Sequence, residues 1–251
     1  TVAGYDDEAA LRRFAAQCDV ITLEFENIPA ATLDVLTDLG KEVAPGAHAL
    51  RVTQDRVLEK TFARDHGVAT VDFRAVDAPG DLEAALAALG TPALLKTRRD
   101  GYDGKGQAWI RSPAEAGAAW NAVGGKPSIL EAKASFTREI SVVAARGWNG
   151  EIRAFPIGEN HHVDGILATT LAPAPVSAAV TQAAHDIARR VLEGLDYVGV
   201  LAVELFVLDG DALVLNEIAP RVHNSGHWTQ EGCVCDQFEQ HIRAVAGWPL
   251  G

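Results

Sequence analysis

Methionine is absent from all 251 residues, cysteine occurs three times, and aromatic side chains make up only 6%. A chain with no methionine, beginning at Thr1, is expected to be a processed chain or a piece of a longer one. Cys18, Cys233 and Cys235 are too few and too unevenly placed for a disulfide framework, and the pattern fits a reducing cytoplasm. The Cys233-x-Cys235 spacing has no second cysteine pair beside it, which argues against a zinc site and for buried thiols. No apolar run is long enough to span a bilayer, and no signal-peptide pattern opens the sequence. Positive charge is also scarce: 22 Lys and Arg stand against 34 Asp and Glu, for a net charge of -12. That balance excludes general nucleic-acid binding, which needs a basic surface. Any phosphate must be held by a few local cations.

What remains is ordinary for a soluble globular protein, with 48% hydrophobic residues and length for one large or two to three small domains. There are no internal repeats. Helix-like and strand-like segments alternate, which argues for an α/β architecture. Residues 6–17 read as a helix, 20–25 as a strand and 29–39 as a helix opened by Pro29 and closed before Gly40. This piece looks like the tail of a doubly wound domain. A helix is expected over 53–66, another over 78–89, strands over 93–96 and 107–110, a helix over 112–123 capped by Ser112, and a strand over 128–132. Further on, strands are expected near 139–145 and 151–156. A long helix over 177–195 would place Val180, Ala184, Ile187, Val191 and Leu195 on one stripe.

Three segments carry chemistry. The first is a hairpin of two apolar strands, 197–208 and 212–218, joined across Asp209-Gly210, a strong two-residue turn signal. If Leu208 pairs with Asp211, Glu217 lies diagonal to Glu204 on one face; a shift of one position puts the two directly opposite. Asn216 then points to the other face. Two unpaired carboxylates on an apolar sheet repel and resist desolvation. A hard cation such as Mg2+, which takes oxygen ligands from carboxylates and substrate phosphates, removes the problem; so would a salt bridge to an Arg on a wet face. The second segment, 96–107, holds Gly101, Gly104 and Gly106 among Lys96, Arg98, Arg99 and Lys105 between two strands. Its backbone N–H groups and cations suit an anion, although a flexible basic hairpin has the same composition. It is neither a Walker A loop nor a Rossmann fingerprint, since no helix follows. The third runs from Ile218 to Trp228, just after Glu217. Arg221 there suits a planar anion, and His223 could transfer protons near neutral pH. No Ser hydrolase signature occurs. His48, His66, His185 and His241 read as surface or structural.

Taken in order, these segments resemble the ATP-grasp superfamily. The finer resemblance is to the N5-carboxyaminoimidazole ribonucleotide synthases. It is carried by Thr22-Leu23-Glu24-Phe25-Glu26-Asn27, Gln54-Asp55-Arg56, Lys96 through Gln107, Arg138-Glu139-Ile140-Ser141-Val142-Val143, Asp164-Gly165-Ile166-Leu167, Tyr197-Val198-Gly199-Val200 and Asn216 through Gln230. The last run is the most specific. The resemblance implies an α+β ATP-grasp fold, with residues 1–70 as the remnant of an N-terminal domain and linker helix, 71–134 as a lid, and 135–251 as the larger ATP-grasp domain. It implies ATP and Mg2+, with Mn2+ able to substitute. It implies that Arg56 and Lys96 contact phosphates, that Gly101, Tyr102, Asp103, Gly104, Lys105, Gly106 and Gln107 close over them, and that Glu131, Ala132, Lys133 and Ala134 border the adenine, mostly through backbone groups. Glu139 would hold the ribose, with His162 near the nucleotide. Glu204 and Glu217 would bind the metal, helped by Asn216. Arg221, His223 and Asn224 would hold bicarbonate or carboxyphosphate, and Tyr102 and Asp103, with Glu24 and Asn27, would face an aminoimidazole ribonucleotide. The same resemblance implies a cytoplasmic homodimer acting on small molecules, with no nucleic-acid or membrane partner. Three features depart from the family: its opening Gly-rich strand-turn-helix and its last basic segment are absent, and Asp100 stands where a further glycine is expected.

Overall fold

A computed structural model of the chain describes residues 2–101, 105–163 and 165–251. In chain order it contains α1 (Glu8–Ala15), β1 (Val20–Ile21), α2 (Ala30–Asp38), β2 (Glu42–Val43), α3 (Ala47–Thr53), α4 (Arg56–Asp65), β3 (Phe73–Val76), α5 (Pro79–Leu89), β4 (Ala93–Thr97), β5 (Gln107–Ile110), α6 (Ala116–Ala122), β6 (Ser128–Ala132), β7 (Phe136–Arg146), β8 (Ile152–Ala154), β9 (Gly158–Val163), β10 (Ile166–Leu171), α7 (Ala178–Gly194), β11 (Gly199–Leu208), β12 (Leu213–Ala219), α8 (Thr229–Gly232) and α9 (Gln237–Val245).

The strands form three sheets. β1 and β2 pair in parallel, β3-β6-β4-β5 make a four-stranded antiparallel sheet, and β10-β9-β7-β11-β12 make the main sheet, with β8 also paired to β7. One face of the main sheet is apolar: Ile140, Val142, Leu201, Val203, Leu205 and Leu215 pack against α7. The expected stripe of α7, Val180, Ala184, Ile187, Val191 and Leu195, is buried in that core, and Ser177 caps the helix by accepting from Val180 N–H. On the opposite face, Val143, Ala145, Val200, Ala202 and Ala219 are covered by Val222, Trp228 and Cys233 from the C-terminal segment. The same face carries Glu139, Ser141 and Glu204 farther along the strands. At the other end of β11, Gly199 has φ +116 and a Cβ there would lie 2.8 Å from His241 Cε1. Only glycine suits both the angle and the ring.

Several expectations need correction. The helix expected over 53–66 is α4 and starts only at Arg56, because Asp55 is its cap: the Asp55 carboxylate accepts from Val57 and Leu58 N–H and pairs with Arg98 at 2.9 Å, while Thr53 ends a separate helix, α3, that was not expected. The strand expected over 20–25 shrinks to Val20–Ile21, and the one over 151–156 to Ile152–Ala154. Ser112 makes no capping bond and is followed by a 3-10 turn; Glu115 Oε2 accepts from Arg111 N–H instead. β2, β3, β9 and β10 were not foreseen. Val163 pairs with Ile166, and the Asp164-Gly165 dipeptide between them in sequence is the turn signal that could have disclosed β9 and β10.

Candidate active site

The hairpin of β11 and β12 is longer at its turn than expected and irregular in its middle. Leu208 N–H donates to Ala212 O at 2.8 Å, so residues 209–211 form the connection rather than a two-residue turn. Carried on unbroken, that register would set Glu204 against Asn216 and send Glu217 to the α7 face. A β-bulge between Glu204 and Leu205 corrects it: Leu205 pairs with Leu215, yet Glu204 pairs with Glu217. Asn216 is the extra residue. The two carboxylates therefore stand directly opposite each other on the open face. Asn216 does not point away, as expected; its Nδ2 lies 3.5 Å from Glu204 Oε2.

These residues form one wall of a cleft of about 330 Å³ between the main sheet and the four-stranded sheet. The main sheet contributes Glu139, His162, Glu204, Phe206, Asn216 and Glu217; the four-stranded sheet and the connection between its β4 and β5 contribute Leu94, Lys96, Gly101, Lys105 and Gln107; the segment after β12 contributes Arg221, His223 and Asn224. Arg56, at the start of α4, reaches in with Nη1 3.1 Å from Glu217 Oε2 and Nη2 3.3 Å from Gly101 O. Burial alone would lower the Arg56 pKa, but Glu217, Glu59 and Glu131 outweigh it and raise it. Gly106 backs the loop rather than lining the cleft: Thr97 N–H donates to its carbonyl at 2.8 Å. Tyr102, Asp103, Gly104 and Asp164 lie outside the described residues. Asp100 has φ 63, a left-handed angle that Asp tolerates better than most residues and glycine best.

The two carboxylates are driven apart electrostatically. Burial and the neighbouring Glu217 push Glu204 up, with His162 acting the other way. Burial also acts to raise Glu217, but Arg56, Lys96 and His223 outweigh it, so its net direction is down. Such a pair suits a hard divalent ion. Among the described residues no group of three or more His, Cys, Asp or Glu converges to hold a metal. Two carboxylates and the Asn216 amide oxygen would leave positions for phosphate oxygens, the usual arrangement for Mg2+. Glu139 is ion-paired to His162 Nδ1, and this hydrogen bond raises the His162 pKa against the effect of burial.

The segment after β12 is tightly fixed. Arg221 Nη2 is 2.9 Å from Glu26 Oε1 and Nη1 donates to Val222 O. Gln237, fully buried at the start of α9, accepts from His223 N–H at 2.9 Å and donates to His223 O at 2.8 Å. His223 Nδ1 accepts from Ser225 N–H and lies 2.8 Å from Ser225 Oγ. Burial and Arg221 push its pKa down to about 4. This corrects the expectation of proton transfer near neutrality: the ring is neutral at pH 7, and its Nε2–H is a donor.

Some assigned residues lie elsewhere. The Glu131 side chain turns into the protein, 2.7 Å from Lys96 Nζ and 3.2 Å from Lys60 Nζ; burial would raise its carboxyl, but the two lysines hold it down at about 2. Ala132 N–H donates to Asp72 O. Neither these two nor Lys133 and Ala134 line the cleft. Glu24 lines a separate apolar pocket with α1 and α2, and Asn27 shares a small adjoining pocket with Glu26 and Arg56. Glu26, Gln237, Glu59 and Lys60 were not foreseen. For the last two a signal existed: positions 59 and 60 share the inward stripe of α4 with Ala63.

Comparison with known proteins follows the same lines. Residues 61–238 match the ATP-grasp domain, and residues 1–54 match the ribonucleotide synthetase preATP-grasp domain. N5-carboxyaminoimidazole ribonucleotide synthase of Brucella melitensis is 51% identical over 252 residues, covering 100% of this chain and 69% of that protein. The crystal structure of N5-carboxyaminoimidazole ribonucleotide synthetase from Thermus thermophilus superposes with a TM-score of 0.92 at 50% identity, over 100% of this chain and 68% of that one. That of N5-carboxyaminoimidazole synthase from Aspergillus clavatus, in complex with ADP and 5-aminoimidazole ribonucleotide, has a TM-score of 0.91 at 31% identity, over 99% and 65%. The chain thus spans about two thirds of the length of these relatives. An ATP-grasp domain behind a preATP-grasp segment, matched along the whole chain at half identity, makes it a member of the N5-carboxyaminoimidazole ribonucleotide synthase family.

Proposed function

We propose that the chain is the nucleotide-binding part of an ATP-dependent carbon-nitrogen ligase of de novo purine biosynthesis. Its reaction would carboxylate the exocyclic amine of 5-aminoimidazole ribonucleotide, giving N5-carboxyaminoimidazole ribonucleotide, ADP and phosphate. The observation that carries this reading is the Glu204–Glu217 pair facing the Lys96 loop across one cleft. A bicarbonate oxygen attacks the γ-phosphorus, ADP leaves, and carboxyphosphate forms. The amine then captures its carboxyl carbon, or CO2 released beside it, and phosphate and the amine proton depart.

The residues act mainly by positioning and charge neutralisation. Glu204, Glu217 and Asn216 would hold Mg2+, which when bound neutralises charge on the phosphates. Arg56 and Lys96 lie where phosphates would enter, with Gly101, Lys105, Gly106 and Gln107 as the flap above them. Leu94, Phe206 and Leu167 offer the base an apolar wall, and Glu139 with His162 a polar edge for the ribose. Arg221, the neutral His223 and Asn224 would hold bicarbonate and carboxyphosphate, with Glu26 orienting Arg221; Tyr102 and Asp103 would face the aminoimidazole. In this reading residues 1–70 close the substrate side, 71–134 form a lid that excludes water from the short-lived intermediate, and 135–251 carry the metal site. The protein is assigned to the cytoplasm as a homodimer. Among the described residues no helix is long and apolar enough to cross a membrane.

The test is ADP release by the complete enzyme. It should depend on bicarbonate and rise with 5-aminoimidazole ribonucleotide. Release driven instead by formate or an amino acid would assign a different ATP-grasp ligase, and nucleotide binding without release would leave only a binding module.

A further inference from the structure

Two ionisable side chains of α4 have no part in that chemistry, yet both are almost completely buried: Glu59 and Lys60 are each 1% exposed. Burying an ion costs several kcal/mol unless its partners are good, so the partners are informative. Glu59 Oε1 accepts from Ile218 N–H at 2.7 Å. Lys60 Nζ lies 3.2 Å from Asn216 O and 3.4 Å from Leu215 O. These backbone groups bracket Glu217 and belong to the bulge that turns it toward Glu204. A bulge interrupts the strand ladder and leaves main-chain groups that need other partners; α4 supplies them. Lys60 Nζ is also 3.2 Å from Glu131 Oε1, and Glu131 Oε2 is 2.7 Å from Lys96 Nζ. One ammonium therefore touches both the carboxylate hairpin and the carboxylate that anchors Lys96 on the other wall.

The geometry points to Glu59 and Lys60 as positioning residues: they hold the β12 bulge in the shape that sets Glu217 and Asn216 beside Glu204 for a metal-nucleotide, and Lys60 ties that bulge through Glu131 to Lys96. This rests on the ligase reading. An unbulged β12 would present Asn216 to Glu204 and turn Glu217 into the α7 core, so the metal pair depends on the bulge. A buried pair serving stability alone would have no reason to be specific for metal.

The test measures Mn2+ binding to the full chain by electron paramagnetic resonance with ADP present, and ADP binding in EDTA. Lys60→Met should weaken Mn2+ binding at least about tenfold, leave metal-free ADP affinity within about threefold and retain the far-ultraviolet circular dichroism spectrum. Lys60→Arg should restore Mn2+ affinity to within about threefold of the wild type. Should Lys60→Met fail to fold, Lys60→Gln decides on the same criteria, with a loss of about threefold or more expected. A folded variant with wild-type Mn2+ affinity overturns the positioning role, as does equal weakening of Mn2+ and metal-free ADP. If the wild-type chain itself binds no Mn2+ with ADP, the ligase reading falls and this role with it.

Discussion

Acid should unfold this protein partly through His241, a residue remote from the cleft. Its Nδ1 accepts from Val200 N–H at 3.0 Å, and its Nε2 lies 2.8 Å from Thr22 Oγ1. The ring thus joins the main sheet to the segment after β1, and it is neutral because burial pushes its pKa from 6.5 to about 4. The unfolded chain takes up the proton first, so the contribution is present above pH 6.5 and is lost as pH falls toward 4. The gap between 6.5 and about 4, at about 1.4 kcal/mol per pH unit, is worth about 3 kcal/mol. His223, also held at about 4, adds a similar slope of its own. His241→Gln cannot titrate. It should cost about 1–3 kcal/mol at pH 7, because Val200 N–H loses its acceptor, but it should then lose about 3 kcal/mol less than the wild type between pH 7 and 4. For a chain of this size each kcal/mol moves the melting midpoint by about 2–4 °C, so thermal melts at several pH values resolve the difference. Parallel pH profiles for variant and wild type would refute the reasoning, since His241 would then not be the group taking up the proton.

Glu217→Ala should lower ADP release about 100-fold or more with the far-ultraviolet circular dichroism spectrum retained, because the loss of the Arg56 partner is offset in part by relief of repulsion with Glu204; turnover near that of the wild type would remove Glu217 from the metal role. Glu131→Gln takes the counter-charge from Lys60 and Lys96 together and should cost about 3–5 kcal/mol in urea unfolding; a loss below about 1 kcal/mol would show that the lysines find other partners. At Gly106 the backbone has φ +70 and an added Cβ would lie 2.8 Å from Thr97 Oγ1. Gly106→Ala should therefore strain the loop by about 1–2 kcal/mol and weaken ADP binding, read by calorimetry, about tenfold.

The long periodic elements were legible in the sequence because one solvent-averse face repeats along them: α7 declared its stripe, and the apolar strands of the hairpin declared theirs. The site was legible as far as its residue types went, since carboxylates, glycines and an Arg-His cluster stand in contiguous runs. What could not be read was geometry set by distant partners. Asp55 caps α4 from outside instead of lying within it, its carboxylate held by Arg98 and by the Val57 N–H. The register that brings Glu204 opposite Glu217 depends on a one-residue bulge, which no turn signal announces. The inward turn of the Glu131 side chain is set by two lysines from different elements. Short edge strands such as β3 and β10 are mostly exposed, and exposure erases the alternation by which a strand is recognised.

The contact between Gly199 and His241 limits how this part of the interior can change. Most neighbouring core positions drift by exchange, one side chain shrinking as the other grows. Here the exchange runs one way only. A smaller residue at 241 would open a void over the backbone of 199, yet the φ of +116 there bars every side chain that might grow to fill it. Loss of the imidazole has to be absorbed by residues farther off, from α9 or from the chain around Thr22.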